Sequence, residues 1–305
     1  MKIVHFDEVD ESEMTELMLA CFNHAYSKDH IKKMIRADRR MPKWGGELYA
    51  KENDKVLGCV GILYPRAKIS GDVRKVGGIR NVCSRPSESR RGIIKRLMKR
   101  AHEIMREEVE ASFLMTSKSG VAYNLYQKLG YETIQVPPRA YKKVGARQSD
   151  VEFRDKVDPE YVRSLYMNSV KDLSGLVVRE EDYRDMAKAR GWPDNDEVKI
   201  AYKDGERIGY AMYESSRNSL SVKEFAAEKG NLGVLLRGLE SHSDKDYIVI
   251  SYVNPSYKEF LQEEGYSWHD DLWYRVMVKG LSDDSDERIK AESKKNFHTG
   301  IYETF

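Results

Sequence analysis

Cysteine is scarce in this 305-residue chain: Cys21, Cys59 and Cys83 are far apart and odd in number. That pattern provides neither a disulfide framework nor the paired spacings of a zinc site, so no metal is expected and each cysteine reads as a small packing residue. Long apolar runs are missing as well. The opening MKIVHFDEVDE has no hydrophobic signal region, and no stretch approaches the ~20 apolar residues that a membrane span needs. A cytoplasmic protein without a membrane partner is expected. Nor is there an excess of one charge, with 52 basic against 50 acidic residues and a net charge of +2. A nucleic-acid stripe or a polybasic anchor needs such an excess, so nucleic acid is not an expected partner. What the chain does have is charge of both signs, 33% of its residues, and length enough for two domains with their own cores.

The stretch from Val82 to Met98, VCSRPSESRRGIIKRLM, concentrates the functional signal. An apolar strand end is followed by a Pro-Ser-Glu-Ser turn and a helix opening at Arg90-Arg91-Gly92. Ser89 is a suitable N-cap, and Gly92 lets a ligand approach the backbone. The first turn of a helix carries N–H groups without internal partners, and its dipole favours negative charge. Strand, glycine-bearing turn and helix therefore form a diphosphate cradle. A helix that merely starts after a turn, with basic residues on its solvated face, fits the same residues.

The stretch resembles the acetyl-CoA motif of the GNAT N-acetyltransferase superfamily, with Val82, Pro86 and Gly92 at the matching spacings. Ser89 stands where Arg or Gln is usual, and Ile94 where a second Gly or Ala is usual. A bulky residue at that last place, in SRRGIIKRLM, is similar to the enhanced intracellular survival branch of the superfamily.

Read in order, the chain predicts a strand at Lys2–Phe6, a helix at Ser12–Phe22 capped by Ser12, and a helix at Lys28–Arg39. A hairpin at Glu47–Tyr64 follows, turning at Asn53-Asp54. A strand over Val73–Ser84, a helix from Arg91 to Val109 and a strand at Ser112–Thr116 come next. A short helix at Ala122–Leu129 is closed by Gly130, and strands at Tyr131–Val136 and Ala140–Val144 end the unit. The pattern then restarts. Ala50–Gly58 is echoed by Ala201–Gly209, and Tyr123–Tyr131 by Lys258–Tyr266, in the same order. The expectation is an α/β (α+β, mixed-sheet) chain of two tandem GNAT-like domains, residues 1–145 and 146–280, followed by a charged tail over 281–305. The second copy is degenerate. Its counterpart of the phosphate turn, Glu224–Leu232, has no arginine pair and brings Glu228, and Leu261 replaces Tyr126. Leu272–Val276, with its Trp-x-Arg, resembles the end of the survival family's second domain.

The resemblance implies acetyl transfer from acetyl-CoA, as cosubstrate, to a primary amine on a small molecule or a lysine. The pyrophosphate would sit on backbone donors from Arg90 to Ile94, beside Ser89 and Ile93, with charge from Arg90, Arg91 or Lys95. Main-chain groups of Val82, Cys83 and Ser84 would line the pantetheine arm. Tyr126, in a Leu-Tyr-x-x-x-Gly-Tyr context, corresponds to the superfamily's general acid; an aromatic packing residue is the plainer reading. In the survival family a terminal Phe carboxylate is the base, which points to Phe305, although the stretch after Gly280 is too short for that family's third, sterol-carrier-like domain. The family also implies homo-oligomers. A non-catalytic acyl-CoA sensor or scaffold, and transfer of another acyl group such as an aminoacyl unit, are the alternatives.

Overall fold

The computed structural model describes residues 1–22, 24–145, 148–183, 186, 198–270 and 273–300. In the first half, strands β1 (Lys2–His5), β2 (Glu47–Glu52) and β3 (Lys55–Leu63) are followed by the small hairpin β4 (Arg66–Ile69) and β5 (Asp72–Lys75). Then come β6 (Gly77–Ser84), β7 (Ala111–Ser117), β8 (Glu132–Gln135) and β9 (Arg139–Lys143). Helices α1 (Glu11–Cys21), α2 (Lys28–Ala37), α3 (Ile93–Arg106) and α4 (Val121–Lys128) lie between them. The second half carries β10 (Glu152–Arg154), α5 (Pro159–Ser169), β11 (Ser174–Leu176), β12 (Val198–Lys203), β13 (Glu206–Ser215) and β14 (Ser219–Ala227). It continues with α6 (Leu232–His242), β15 (Tyr247–Ser251), α7 (Lys258–Glu263), β16 (Ser267–His269), β17 (Tyr274–Gly280), α8 (Asp283–Ser293) and β18 (Phe297–Thr299).

These strands build two seven-stranded sheets, β1-β2-β3-β6-β7-β17-β8 and β10-β12-β13-β14-β15-β9-β16. Each face of the first sheet has its own apolar layer. Leu48, Val60, Ile62 and Ile79 pack with Leu97, Met98, Ala101 and Met105 of α3. Tyr49, Cys59 and Leu63 pack with Met14, Leu17 and Met18 of α1 and Ile31 and Met34 of α2. The amphipathic spacing of α3 explains its placement: residues three and four apart share a face, and that face is the buried one.

The internal repeat is visible in the backbone. Both hairpins carry the same register shift, between Ala50 and Lys51 on β2 and between Ala201 and Tyr202 on β12. Both short helices end alike, with Tyr131 N–H donating to the Tyr126 carbonyl at 3.0 Å and Tyr266 N–H to the Leu261 carbonyl at 2.9 Å. The chain is thus a mixed α/β molecule of two tandem copies.

The boundary at residue 145 does not divide the sheets. β9, expected in the first copy, lies between β15 and β16 of the second sheet. β17, expected in the second, lies between β7 and β8 of the first, in register from Tyr274↔Ser117 to Gly280↔Ala111. The copies exchange a strand, and alternation of apolar residues predicts a strand without saying which sheet receives it. A third sheet, β18-β11-β4-β5, takes strands from both halves.

The expected tail is folded through Thr299. Ser282 caps α8 by accepting from Ser285 N–H, Ile289 and Phe297 join an apolar cluster with Phe113, Val276 and Val278, and β18 pairs in parallel with β11. Charge at seven of the eleven positions of α8 concealed this buried stripe. Two N-caps are also corrected: α1 starts after Asp10 rather than at Ser12, and α3 after Gly92 rather than at Ser89. Ser89 instead closes the 3-10 turn Pro86–Glu88.

Candidate active site

The site is a fork between two parallel strands. β6 pairs with β7 only at Gly77↔Ser112, Gly78↔Phe113 and Ile79↔Leu114. Beyond that point β6 stays with β3, through Cys59↔Cys83 and Gly58↔Ser84. β7 stays with β17, through Met115↔Val276 and Thr116↔Arg275. The main chain of Val82, Cys83 and Ser84 therefore has no strand partner on its β7 side among the described residues, and although the Ser84 carbonyl accepts from Cys21 Sγ at 3.5 Å, the edge is one a ligand's amides can extend.

A bulge at Asn81, where φ is +50°, steers β6 into the fork. Cys59 Sγ donates to the Asn81 carbonyl at 3.0 Å, and Asn81 Nδ2 donates to Glu47 Oε1 at 3.1 Å. Glu47 is in turn paired with Arg80 at 2.6 Å, both nearly inaccessible. The pair closes over Gly61, where a Cβ would meet Arg80 Cγ at 2.7 Å and Glu47 Oε2 at 2.8 Å. Glu47, Arg80 and Asn81 were not singled out from sequence. Their signal was Glu47 opening a strand whose next three positions are buried, and a charged pair inside a sheet is legible only once register is known.

The fork leads to the start of α3. Gly92 is its N-cap at φ +74°, with no side chain bonding to the first turn and open space where a Cβ would be. Arg96 N–H takes the Gly92 carbonyl at 3.1 Å, which leaves the amides before it without helical partners, at the positive end of the dipole. Arg90, also left-handed at φ +66°, is exposed and makes no ion pair among the described residues; neither does the exposed Lys95. Arg91 differs. Its guanidinium is held by Glu52 at 2.8 Å and Glu88 at 2.5 Å, and these contacts hold both carboxyls below their ordinary range. Arg91 braces the loop, and Lys55 at 3.3 Å from Glu88 joins the brace.

Tyr126, on α4, packs in one apolar layer with Leu97 and Tyr131, against which Val82 and Ile94 also lie. Its ring meets that of Tyr131 edge to face at a 6.0 Å centroid separation. Burial pushes its phenol above the ordinary 10, and the nearby Cys83 thiol adds to the rise. Among the described residues its hydroxyl has no hydrogen-bond partner. Behind it, the Tyr131 hydroxyl stands 2.8 Å from His102 Nε2 and 2.6 Å from Ser112 Oγ.

The structure thus brings Val82, Cys83, Ser84, Arg90, Gly92, Ile93, Ile94, Lys95 and Tyr126 to one fork and helix terminus, with Ser89 in the turn between and Arg91 turned to its carboxylates. Phe305 lies outside the described residues. In the second copy the equivalent fork is filled. β14 and β15 pair as far as Val222↔Ile250. Just beyond, Glu224 takes a bidentate bond from Arg179 at 2.8 and 2.6 Å and one from the Tyr210 hydroxyl at 2.6 Å, while Phe225 meets the Tyr257 ring at 5.4 Å. Arg179 itself stacks on Tyr166, 3.4 Å from the ring centroid.

Residues 2–134 match the acetyltransferase (GNAT) domain family. The matched segment contains the fork, α3 and Tyr126. Solved structures share the fold over nearly the whole chain. A GCN5-related N-acetyltransferase from Kribbella flavida has a TM-score of 0.67 at 18% identity, over 92% of this chain and 72% of that one. Another from Anabaena variabilis gives 0.66 at 15%, over 92% and 73%. Eis1 from Mycobacterium abscessus gives 0.56 at 16%, over 90% and 74%. No curated protein matches the chain in sequence. Among the described residues, no helix is long and apolar enough to cross a membrane.

Proposed function

We propose that the protein is an N-acetyltransferase that moves an acetyl group from acetyl-CoA directly to a primary amine, with the chemistry in the first copy. The observation that carries this reading is the run of unpaired main chain at Val82–Ser84 leading into the uncapped terminus of α3. Amides at Gly92–Lys95 take the pyrophosphate, and Arg90 and Lys95 supply charge that Arg91 cannot. The pantetheine amides extend β6 as a short strand would, which brings the thioester to the side of the fork where Tyr126 stands. There the amine nitrogen attacks the thioester carbon. The oxyanion is met by main-chain N–H of the open strand, the C–S bond breaks as the Tyr126 hydroxyl protonates the departing sulfur, and the proton released by the acylated nitrogen passes to water, from which the phenol is reprotonated.

A phenol held above its ordinary pKa remains protonated at any working pH and acts by donating to sulfur. The filled fork of the second copy supports a single cofactor site per chain, with the second copy serving as scaffold and wall.

Calorimetry with acetyl-CoA, followed by thiol release across a panel of polyamines, aminoglycosides and lysine peptides, tests the reading. One bound acetyl-CoA per chain and amine-dependent thiol release are expected. Binding without turnover on every amine would instead favour an acyl-CoA sensor, and no binding would overturn both.

A further inference from the structure

All three cysteines, remote in sequence, converge on the strand that forms the fork. Cys59 on β3 and Cys83 on β6 are directly opposed in register, with their Sγ atoms 3.5 Å apart. Cys21, the last residue of α1, lies over the same spot with its Sγ 3.5 Å from the Ser84 carbonyl. Acyl transfer as proposed uses none of the three thiols. Among the described residues no three of His, Cys, Asp and Glu are arranged to hold a metal ion. What remains is a facing pair of thiols, one of them inside the cofactor strand. A disulfide needs sulfurs about 2.0 Å apart, so closure requires an approach of about 1.5 Å shared between two neighbouring strands.

We propose that Cys59 and Cys83 form an oxidation site that hydroperoxides close to a disulfide, and that closure abolishes cofactor binding; the second clause rests on the acetyl-CoA reading of the fork. Cys83 is the residue that reacts first. It retains 8% exposure where Cys59 has none. Its contacts with Cys59 and Cys21 hold its pKa below the ordinary value, whereas burial drives Cys21 up to about 12. The Cys83 thiolate attacks a peroxide oxygen and the O–O bond breaks. The departing hydroxide or alkoxide takes a proton, leaving a sulfenic acid. The Cys59 sulfur then attacks the Cys83 sulfur, and the S–O bond breaks as water leaves with the Cys59 proton. Two thiols lose two electrons, and hydrogen peroxide becomes two waters.

Closure acts on the fork in two ways. It removes the Cys59 S–H that holds the Asn81 carbonyl, and with it a support of the bulge that turns β6 away from β7. It also draws Cys83 toward β3, displacing the main chain offered to the pantetheine arm. By reciprocity, bound acetyl-CoA protects the pair from oxidation.

The test takes the reduced full chain through a hydrogen peroxide titration, with and without acetyl-CoA. Disulfides are mapped by mass spectrometry of unreduced peptides, and acetyl-CoA affinity is measured by calorimetry. The expected result is a Cys59–Cys83 cross-link, at least a tenfold loss of affinity reversed by dithiothreitol, and slower cross-linking when acetyl-CoA is present. Cys59→Ser, whose hydroxyl can keep the bond to the Asn81 carbonyl, should show equal affinity before and after peroxide. Cys21→Ser should lose affinity on oxidation as the parent does. A Cys21–Cys83 link, over-oxidation of Cys83 without any link, or a cross-linked protein that binds acetyl-CoA undiminished would overturn the proposal. If the reduced protein binds no acetyl-CoA, the acyltransferase reading fails and the switch with it, while the peptide map alone still decides whether the dithiol closes.

Discussion

On the acetyltransferase reading proposed above, Tyr126 and Gly92 divide the work of the site between chemistry and grip, and substitutions separate the two. Tyr126→Phe removes the donor to sulfur and keeps the packing, so kcat should fall about 10²-fold or more with the KM for acetyl-CoA little changed; steady-state kinetics on both substrates checks this. Because the phenol is held above 10, the pH–rate profile should rise as the amine deprotonates and show no falling limb from Tyr126 up to about pH 10. Gly92→Asp puts a carboxylate at the proposed phosphate position, and about a tenfold weaker acetyl-CoA affinity is expected from one repelling charge. Gly92→Ala shares the strain of φ +74° without the charge. It should lower stability while leaving affinity close to the parent's, as paired denaturation and calorimetry would report. A buried histidine sets a further dependence. Burial holds His102 at about 4, below its unfolded value near 6.5, so the unfolded chain takes up a proton between these values and the folded chain does not. This stabilisation is complete above pH 6.5 and declines as pH falls toward 4, by up to about 1.4 kcal/mol per pH unit. Urea midpoints across that window should show the slope, and His102→Gln should reduce it, leaving the part that the likewise buried His298 contributes.

At the scale of elements, β6 does two jobs, and a buried ion pair lets it do both. Arg80→Met leaves Glu47 unpaired in the sheet and should destabilise the fold by about 3–5 kcal/mol. The double change Glu47→Gln with Arg80→Met should recover most of that loss in urea denaturation. Strand, turn and helix over Val82–Met98 were legible because spacing and a glycine define them locally, and the hairpin at Asn53-Asp54 was legible for the same reason. The start of α3 was displaced by three residues because Ser89 satisfies a capping rule that Gly92 meets with backbone alone. The β4–β5 hairpin was missed: Arg66–Ile69 alternates over only four residues, and Val73–Ser84 looks continuous across the break at Val76. The bracing of Arg91 by Glu52 and the convergence of the cysteines depend on strand register, which a single sequence does not encode locally.

For the molecule as a whole, the two copies are tied by the exchange of β9 and β17 and by the sheet built from β18, β11, β4 and β5. Ion pairs across the halves, Arg66–Glu180 at 3.0 Å and Arg39–Asp182 at 2.6 Å, add to that tie. A fragment of residues 1–145 lacks the strand between β7 and β8, which leaves β8 without a sheet neighbour. It should fail to give a cooperative unfolding transition or dispersed amide resonances, whereas co-expression with 146–305 should restore both. The exchange also bears on how the protein is born. The half that holds the fork is translated first, yet its sheet waits for Tyr274–Gly280 to leave the ribosome. At ~5–20 residues per second that interval is on the order of ten seconds or more. Through it the nascent chain carries an unclosed edge, so synthesis of this chain calls for chaperone cover until Tyr274–Gly280 emerges.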